Sequence, residues 1–283
     1  MKGMTTHQSA PTLALGHAST PGLAIPQIGF GVWEVPDASV DEAFGRALEV
    51  GYRHIDTARI YGNEEGVGRV LAREDVDRDD VFVTTKVWND DHADVPAAFD
   101  ASMRRLGIDV LDLYLIHWPA PAQDGYVEAW TSMLDLQREG RVRSVGVCNF
   151  QVPHLQRLLD ETGVLPSVNQ VELSPYLQQT ELRAFHAEHG IVTEAWSPLA
   201  VRAGLLEDPV VTRLAAQHDV TPAQLVLRWH VELGNVVLTR SVTPARIAEN
   251  VEIFGFTLGE DDLEALAGLD RGTRTGPDPD TFG

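Results

Sequence analysis

Apolar residues recur along the chain in two alternating rhythms. Short runs rich in Val, Ile, Leu, Thr and Phe read as strands at 27–32 (QIGFGV), 53–57 (RHIDT), 80–87 (DVFVTTKV), 110–117 (VLDLYLIH), 142–148 (VRSVGVC), 167–171 (SVNQV), 191–196 (IVTEAW) and 235–240 (NVVLTR). Between them, at 38–50, 94–106, 125–139, 178–189 and 243–252, the apolar positions follow the helical period, several behind N-cap signals such as Asp37 and Thr243. Strands alternating with helices in this way predict an α/β fold, a closed parallel (β/α)8 TIM barrel. Residues 206–233 hold two helices, the second opened by Thr221 and Pro222, and 257–269 hold another; two helices are thus extra to the regular alternation. Residues 1–26, punctuated by Pro11, Gly16, Pro21, Gly22 and Pro26, read as disordered or hairpin-forming, with about 1–12 as the disordered part. The Gly-, Pro- and Asp-rich tail RGTRTGPDPDTFG reads as a surface loop closing over one end. With no solenoid repeat and no linker, one domain over 1–283 is expected.

In such a barrel, side chains from separate strands meet at the C-terminal strand ends. The segment GYRHIDTARIYGNEEGVG (51–68) puts Asp56 at one of these ends and Tyr61 in the loop beyond it, before a helix from about Glu64. Lys86 ends the third strand and His117 the fourth, at the same mouth. Phenol, ammonium, carboxylate and imidazole together suit proton donation to a carbonyl oxygen. A free phenol, with a pKa of about 10, is a poor acid at neutral pH. A nearby ammonium favours the phenolate, which assigns Lys86 to activating Tyr61, Asp56 to holding Lys86, and His117 to orienting the carbonyl. None of the four supplies electrons, so a bound cofactor must bring the hydride.

The later strands read as the cofactor side. Trp196 offers an indole for stacking on a flat ring. Asn149 and Gln170 offer paired donors and acceptors for a carboxamide. Arg240, Ser241, Thr243 and Arg246 gather at the end of the eighth strand and the start of its helix, a place suited to an anion such as an adenosine 2′-phosphate.

Composition sharpens this picture. The formal charge of −20 argues against nucleic acid and anionic membranes as partners and leaves a small molecule. Of 22 cationic side chains only Lys2 and Lys86 are lysines, so the body of the chain keeps a single ammonium where guanidinium serves everywhere else. The lone Cys148 makes no internal disulfide, and neither a signal sequence nor a membrane-spanning run is read, which points to a soluble cytoplasmic protein.

The blocks GFGVWEV (29–35), GYRHIDTARIYGNEEGVG, TTKVW (84–88), LDLYLIHWP (111–119), SVGVCNF (144–150), NQVE (169–172), WSPL (196–199), TPAQLVLRWH (221–230) and LTRSVTPARIAEN (238–250) give the chain, over nearly its whole length, a resemblance to the aldo-keto reductases. That resemblance implies a monomeric β/α barrel that reduces carbonyl compounds with NADPH. It also implies a tetrad of Asp56, Tyr61, Lys86 and His117, with Tyr61 as general acid. The cofactor site would take Val32, Trp33 and Cys148, then Asn149 and Gln170 on the carboxamide, and Trp196 on the ring. Ser197 and Leu199 would line the pyrophosphate, and Arg240, Ser241, Val242, Thr243, Arg246, Glu249 and Asn250 would hold the adenosine end. Trp33, Trp88 and Trp118, with His117, would face the substrate, and no metal is implied.

Three positions depart from the family's usual pattern. Cys148 stands where Ser is usual, Arg240 where Lys is common, and Trp196 where Tyr is frequent. The Trp and the GPDPDTF tail are similar to the bacterial sugar-acid reductases, including enzymes acting on 2,5-diketogluconate. Taken singly, Asp56 reads as a cap or ion-pair residue, Tyr61 as loop surface, His117 and the tryptophans as core, Arg240 and Arg246 as helix charges, and His54 as barrel packing. Their joint occurrence at four strand ends gives the tetrad its catalytic reading. An NADPH-holding redox sensor with little turnover is the alternative. A metal-dependent hydrolase would want a His-x-His pair on a strand, and none is present.

Overall fold

The computed structural model describes residues 10–16 and 22–283, so the expectation for the first nine residues lies outside the described part. Strands β1 (Thr12–Ala14) and β2 (Ala24–Pro26) pair antiparallel. The barrel follows: β3 (Ile28–Gly31), β4 (His54–Asp56), β5 (Phe82–Val87), β6 (Leu111–Ile116), β7 (Val142–Cys148), β8 (Val168–Glu172), β9 (Val192–Trp196) and β10 (Val236–Thr239). Each strand pairs parallel with the next, and β10 returns to β3 to close the ring. All eight strands read from the sequence are found, within one or two residues at their ends.

Around them lie α1 (Asp37–Glu49), α2 (Glu64–Leu71), α3 (Val95–Leu106), α4 (Tyr126–Arg138), α5 (Val152–Thr162), α6 (Thr180–His189), α8 (Pro222–Glu232) and α9 (Pro244–Val251). The two extra helices are α7 (Pro209–Gln217) and α10 (Glu260–Ala267). Apolar residues are buried in two layers. The larger lies between the strands and the helices, where Tyr114, Trp130, Phe150 and Trp229 pack. The smaller fills the N-terminal end of the barrel, where Leu15 and Ile25 of the hairpin meet Phe82, Leu113, Val168 and Val236. The hairpin therefore plugs the end away from the candidate site.

Alternation along each strand sends every second side chain inward. On β4 these are His54 and Asp56, on β5 Phe82, Thr84 and Lys86; the register sets Asp56 beside Thr84 and Lys86 beside Leu115. The inward column thus changes from apolar at the plugged end to polar at the mouth. Both α1 and α9 lack the caps expected of them. Asp37 lies inside α1, where its carboxylate accepts from the Gly66 amide at 2.6 Å and pairs with Arg69, because tying α1 to α2 uses its charge better than capping a helix opened by Pro36. Thr243 makes no side-chain cap; its amide instead donates to Ser241 Oγ at 3.0 Å. Thr221 does cap α8, in a reciprocal pair with Gln224.

Candidate active site

Four segments bring the expected tetrad together at the mouth. Lys86 is fully buried, and its Nζ donates to both oxygens of Asp56, at 2.6 and 2.7 Å, and to the Thr57 carbonyl at 2.9 Å. Its hydrogen bond to Tyr61 Oη is longer, 3.4 Å. Tyr61 reaches this position on a single 3₁₀ turn (Arg59–Tyr61) ended by Gly62 in the left-handed region, which only a residue lacking Cβ enters without strain. The ring of His117 stands edge-on to Tyr61, with centroids 5.6 Å apart.

Environment decides the charge of each group. Burial raises the phenol of Tyr61 above its ordinary range; the Lys86 ammonium pulls it down and Asp56 pushes it up. The activating pull expected of Lys86 is present, but burial outweighs it, so Tyr61 holds its proton throughout neutral pH. Burial works against the charge of Lys86, yet the charge and hydrogen bonds of Asp56 hold the ammonium in its charged form. His117 is pushed well below the usual imidazole value, by burial first and by Lys86 second, and is neutral. Its Nδ1 is buried without a partner. A buried N–H left unpaired costs more than a lone pair, which favours the tautomer with the proton on Nε2.

The two amides beside the tetrad are oriented by their neighbours. Asn149, in the left-handed region at φ 63°, donates through Nδ2 to the His117 carbonyl at 3.0 Å. Its Oδ1 accepts from the indole N–H of Trp196 at 2.8 Å. Gln170 spends both protons of Nε2, on Asp56 at 2.9 Å and on Glu194 at 2.8 Å. One N–H of Asn149 and the Oε1 of Gln170 are left over, a donor and an acceptor that match the two ends of a carboxamide. A tyrosine at 196 has no indole N–H to hold Asn149, which gives the departure at that position a structural consequence.

Trp88 and Trp118 join His117 and Phe282 in one aromatic cluster, with Phe282 4.7 Å from Trp118 and 6.4 Å from Trp88. Trp33 is not part of it. It is 44% exposed and lies under the guanidinium of Arg240, which also bonds the Trp33 carbonyl and the Glu34 carboxylate. Of the three expected tryptophans, Trp88 and Trp118 thus share a cluster with Phe282, while Trp33 stands apart from it. The tail runs across the mouth: Glu172 accepts from the amides of Thr275 and Gly276, and Gly276 packs so tightly on the Trp196 ring that a Cβ would collide with it.

Among the other expected cofactor residues, Val32 and Cys148 are fully buried and present no surface to a ligand in this conformation. Val32 packs in the outer core, and the Cys148 thiol, raised by burial, stays protonated. Ser197 turns at φ 49°, followed by a partly exposed Leu199. Val242, Thr243 and Arg246 are exposed at the start of α9, and Asn250 is buried in its last turn. One carboxylate oxygen of Glu249 accepts from the Thr221 hydroxyl at 2.8 Å, which ties it to the residue that caps α8. Sequence reasoning did not single out Phe282, Glu172 or Glu194. An aromatic inside the polar tail was the available signal for Phe282, and inward-facing carboxylates on β8 and β9 were the signal for the other two.

Residues 22–271 match the model of the Aldo/keto reductase family. The chain is 53% identical over 263 residues to methylglyoxal reductase DkgA of Escherichia coli K12, covering 93% of this chain and 96% of that protein. Among solved structures it is similar to a Gox0644 variant in complex with NADPH, at TM-score 0.91 and 45% identity, covering 98% of this chain and all of that one (100%). A Bombyx mori aldo-keto reductase in complex with NADP superposes at TM-score 0.87 with 32% identity, covering 96% of this chain and 97% of that one.

Proposed function

The chain belongs to the aldo/keto reductase family, and from that premise we propose that it reduces small aldehydes and ketones, dicarbonyl and keto-sugar compounds among them, to alcohols with NADPH. The observation that carries this reading is the phenol of Tyr61 beside a buried, charged Lys86, at a mouth lined by Trp88, Trp118 and Phe282. When bound, NADPH supplies the hydride. Tyr61 gives its proton to the carbonyl oxygen, and the Lys86 ammonium stabilises the phenolate left behind. Asp56 keeps that ammonium in place, and neutral His117 donates through Nε2 to the same carbonyl oxygen, which orients it. The aromatic cluster and the tail exclude water from the reacting carbon.

The residues present fit the cofactor. The spare donor of Asn149 and spare acceptor of Gln170 would take the carboxamide, and Trp196 would stack on the ring. Arg240, Ser241, Thr243 and Arg246 would receive the 2′-phosphate at the start of α9, with amide groups free at the helix end. Among the described residues no helix is long and apolar enough to cross a membrane. A monomer working in the cytoplasm is part of the same reading, supported by the charge of −20 and the single cysteine.

Purified protein given methylglyoxal or a keto-sugar is expected to consume NADPH in steady state; binding of NADPH without turnover on a panel of aldehydes and ketones would favour a sensor instead. The cofactor preference has its own test. Changing Arg240 and Arg246 together to Ala is expected to raise the Kd for NADPH by about tenfold or more, the cost of losing charge-assisted bonds to phosphate, while NADH binding changes little. Equal losses for the two nucleotides would show that these arginines do not read the 2′-phosphate.

A further inference from the structure

Below the mouth, the inner face of the barrel carries a carboxyl group that the chemistry above does not use. Glu194, in the middle of β9, is fully buried. Its Oε2 accepts from Gln170 Nε2 at 2.8 Å, while the other proton of that nitrogen goes to Asp56 at 2.9 Å. Its Oε1 has no hydrogen-bond partner and stands 3.8 Å from Nδ1 of His54, which has none either. On its other side, His54 is tied through Nε2 to the Thr84 hydroxyl at 3.0 Å. On that side the ring lies against Gly29, where a Cβ would sit 2.6 Å from Nδ1, so glycine is what leaves room for the imidazole in this position.

The supply of cations decides the protonation of this pair. Lys86 directs its N–H groups at Asp56 and the Thr57 carbonyl, and no positive group is left for Glu194. A buried carboxylate without a counter-charge is costly, and such a group keeps its proton instead. Burial, then the charge of Asp56, pushes the Glu194 carboxyl up to about 8, while burial and Lys86 push the His54 imidazole down to about 3. A neutral acid and a neutral imidazole therefore face each other, with one proton for the space between Oε1 and Nδ1. The remaining titratable groups facing Glu194 are Asp56, Lys86 and the Cys148 thiol, which burial keeps protonated.

We infer that Glu194 is a positioning residue for the reduction: as a neutral acid facing His54 below, it anchors the nitrogen end of the Gln170 amide, so that Oε1 of Gln170 faces the mouth as a fixed acceptor for a carboxamide N–H. This rests on the reading of Gln170 as a carboxamide ligand. Two carboxyl groups around one nitrogen leave that amide a single orientation, because a flip would set its oxygen against theirs. Ionised, Glu194 would accept more strongly from Gln170, but the larger repulsion from Asp56 would push the two carboxylates apart and shift the amide held between them. Wild-type affinity for NADPH is therefore expected to decline as the pH passes about 8.

The test measures NADPH Kd by fluorescence titration, together with kcat and carbonyl KM, on the full chain on both sides of pH 8. E194L is expected to raise the NADPH Kd by about tenfold, through the unpaired Gln170 N–H, with much smaller changes in kcat at saturating cofactor. E194Q presents an oxygen to Gln170 and an N–H to His54, as the neutral acid does. It is expected to recover most of the affinity lost in E194L and to lack the alkaline decline. An E194Q protein that declines as wild type does, or binds as poorly as E194L, overturns the proposal, as does an E194L protein that binds NADPH like wild type. Should E194L not fold, the pH profile of E194Q decides by itself. Q170A separates the two levels: unchanged NADPH binding there refutes the carboxamide reading, whereas weakened binding in Q170A with none in E194L refutes only the role of Glu194.

Discussion

Tyr61→Phe is expected to lower kcat for carbonyl reduction by about 10²–10⁴-fold, the range for removing a positioned general acid, while NADPH binds with nearly unchanged Kd. The ring of Phe keeps the edge-on contact with His117 and the cation–π contact under Lys86, whose Nζ lies 5.1 Å from the ring centroid. What is lost is one hydroxyl, the only group at this mouth that combines a transferable proton with an ammonium to stabilise the anion it leaves. Because burial holds the phenol above its ordinary value, wild-type activity should not fall on the alkaline side through loss of the Tyr61 proton near neutrality. Steady-state kinetics and fluorescence titration on the same preparation separate chemistry from binding. Turnover at the wild-type rate in this variant would remove the assignment.

The second large effect is on stability as well as activity. Lys86→Met leaves Asp56, itself only 3% exposed, as a buried carboxylate without its cation. Breaking a buried pair from one side costs about 3–5 kcal/mol, much of it from the charge left behind rather than from the bond removed. A clear fall in denaturant midpoint and melting temperature is expected, together with loss of turnover. Adding Asp56→Asn to Lys86→Met removes the stranded charge, so the double variant is expected to regain much of the stability and none of the activity. A double variant no more stable than Lys86→Met would mean that the pair is held by packing and not by charge. This contrast matters because it separates what Lys86 does for the fold from what it does for Tyr61.

How far the sequence reaches can be judged residue by residue. The positions of Asp56, Lys86 and His117 at neighbouring strand ends were readable because alternation and strand length are local properties. The setting of Trp33 was not readable in this way: the loop after β3 turns through Glu34 at φ 57° and sets the indole under Arg240, far along the chain but at the end of β10, the strand paired with β3. The bond from Thr221, the cap of α8, to one oxygen of Glu249 was likewise not readable, because it joins residues 28 apart in the chain. Phe282 entered the site through the path of the tail, which Glu172 pins, and no period or motif encodes such a path.

The sequence by itself determined the eight strands, their order with the helices, the inward face of each, and the set of titratable side chains at one end. Those follow from backbone alternation and turn chemistry, which involve neighbours a few residues apart. Only the tertiary structure decided that Gln170 bridges Asp56 and Glu194, that Glu194 and His54 are left facing each other in the interior, and that Phe282 closes the mouth. Each of these depends on closing the barrel, which sets the distances between strands far apart in the chain and removes the water that would otherwise satisfy their polar groups.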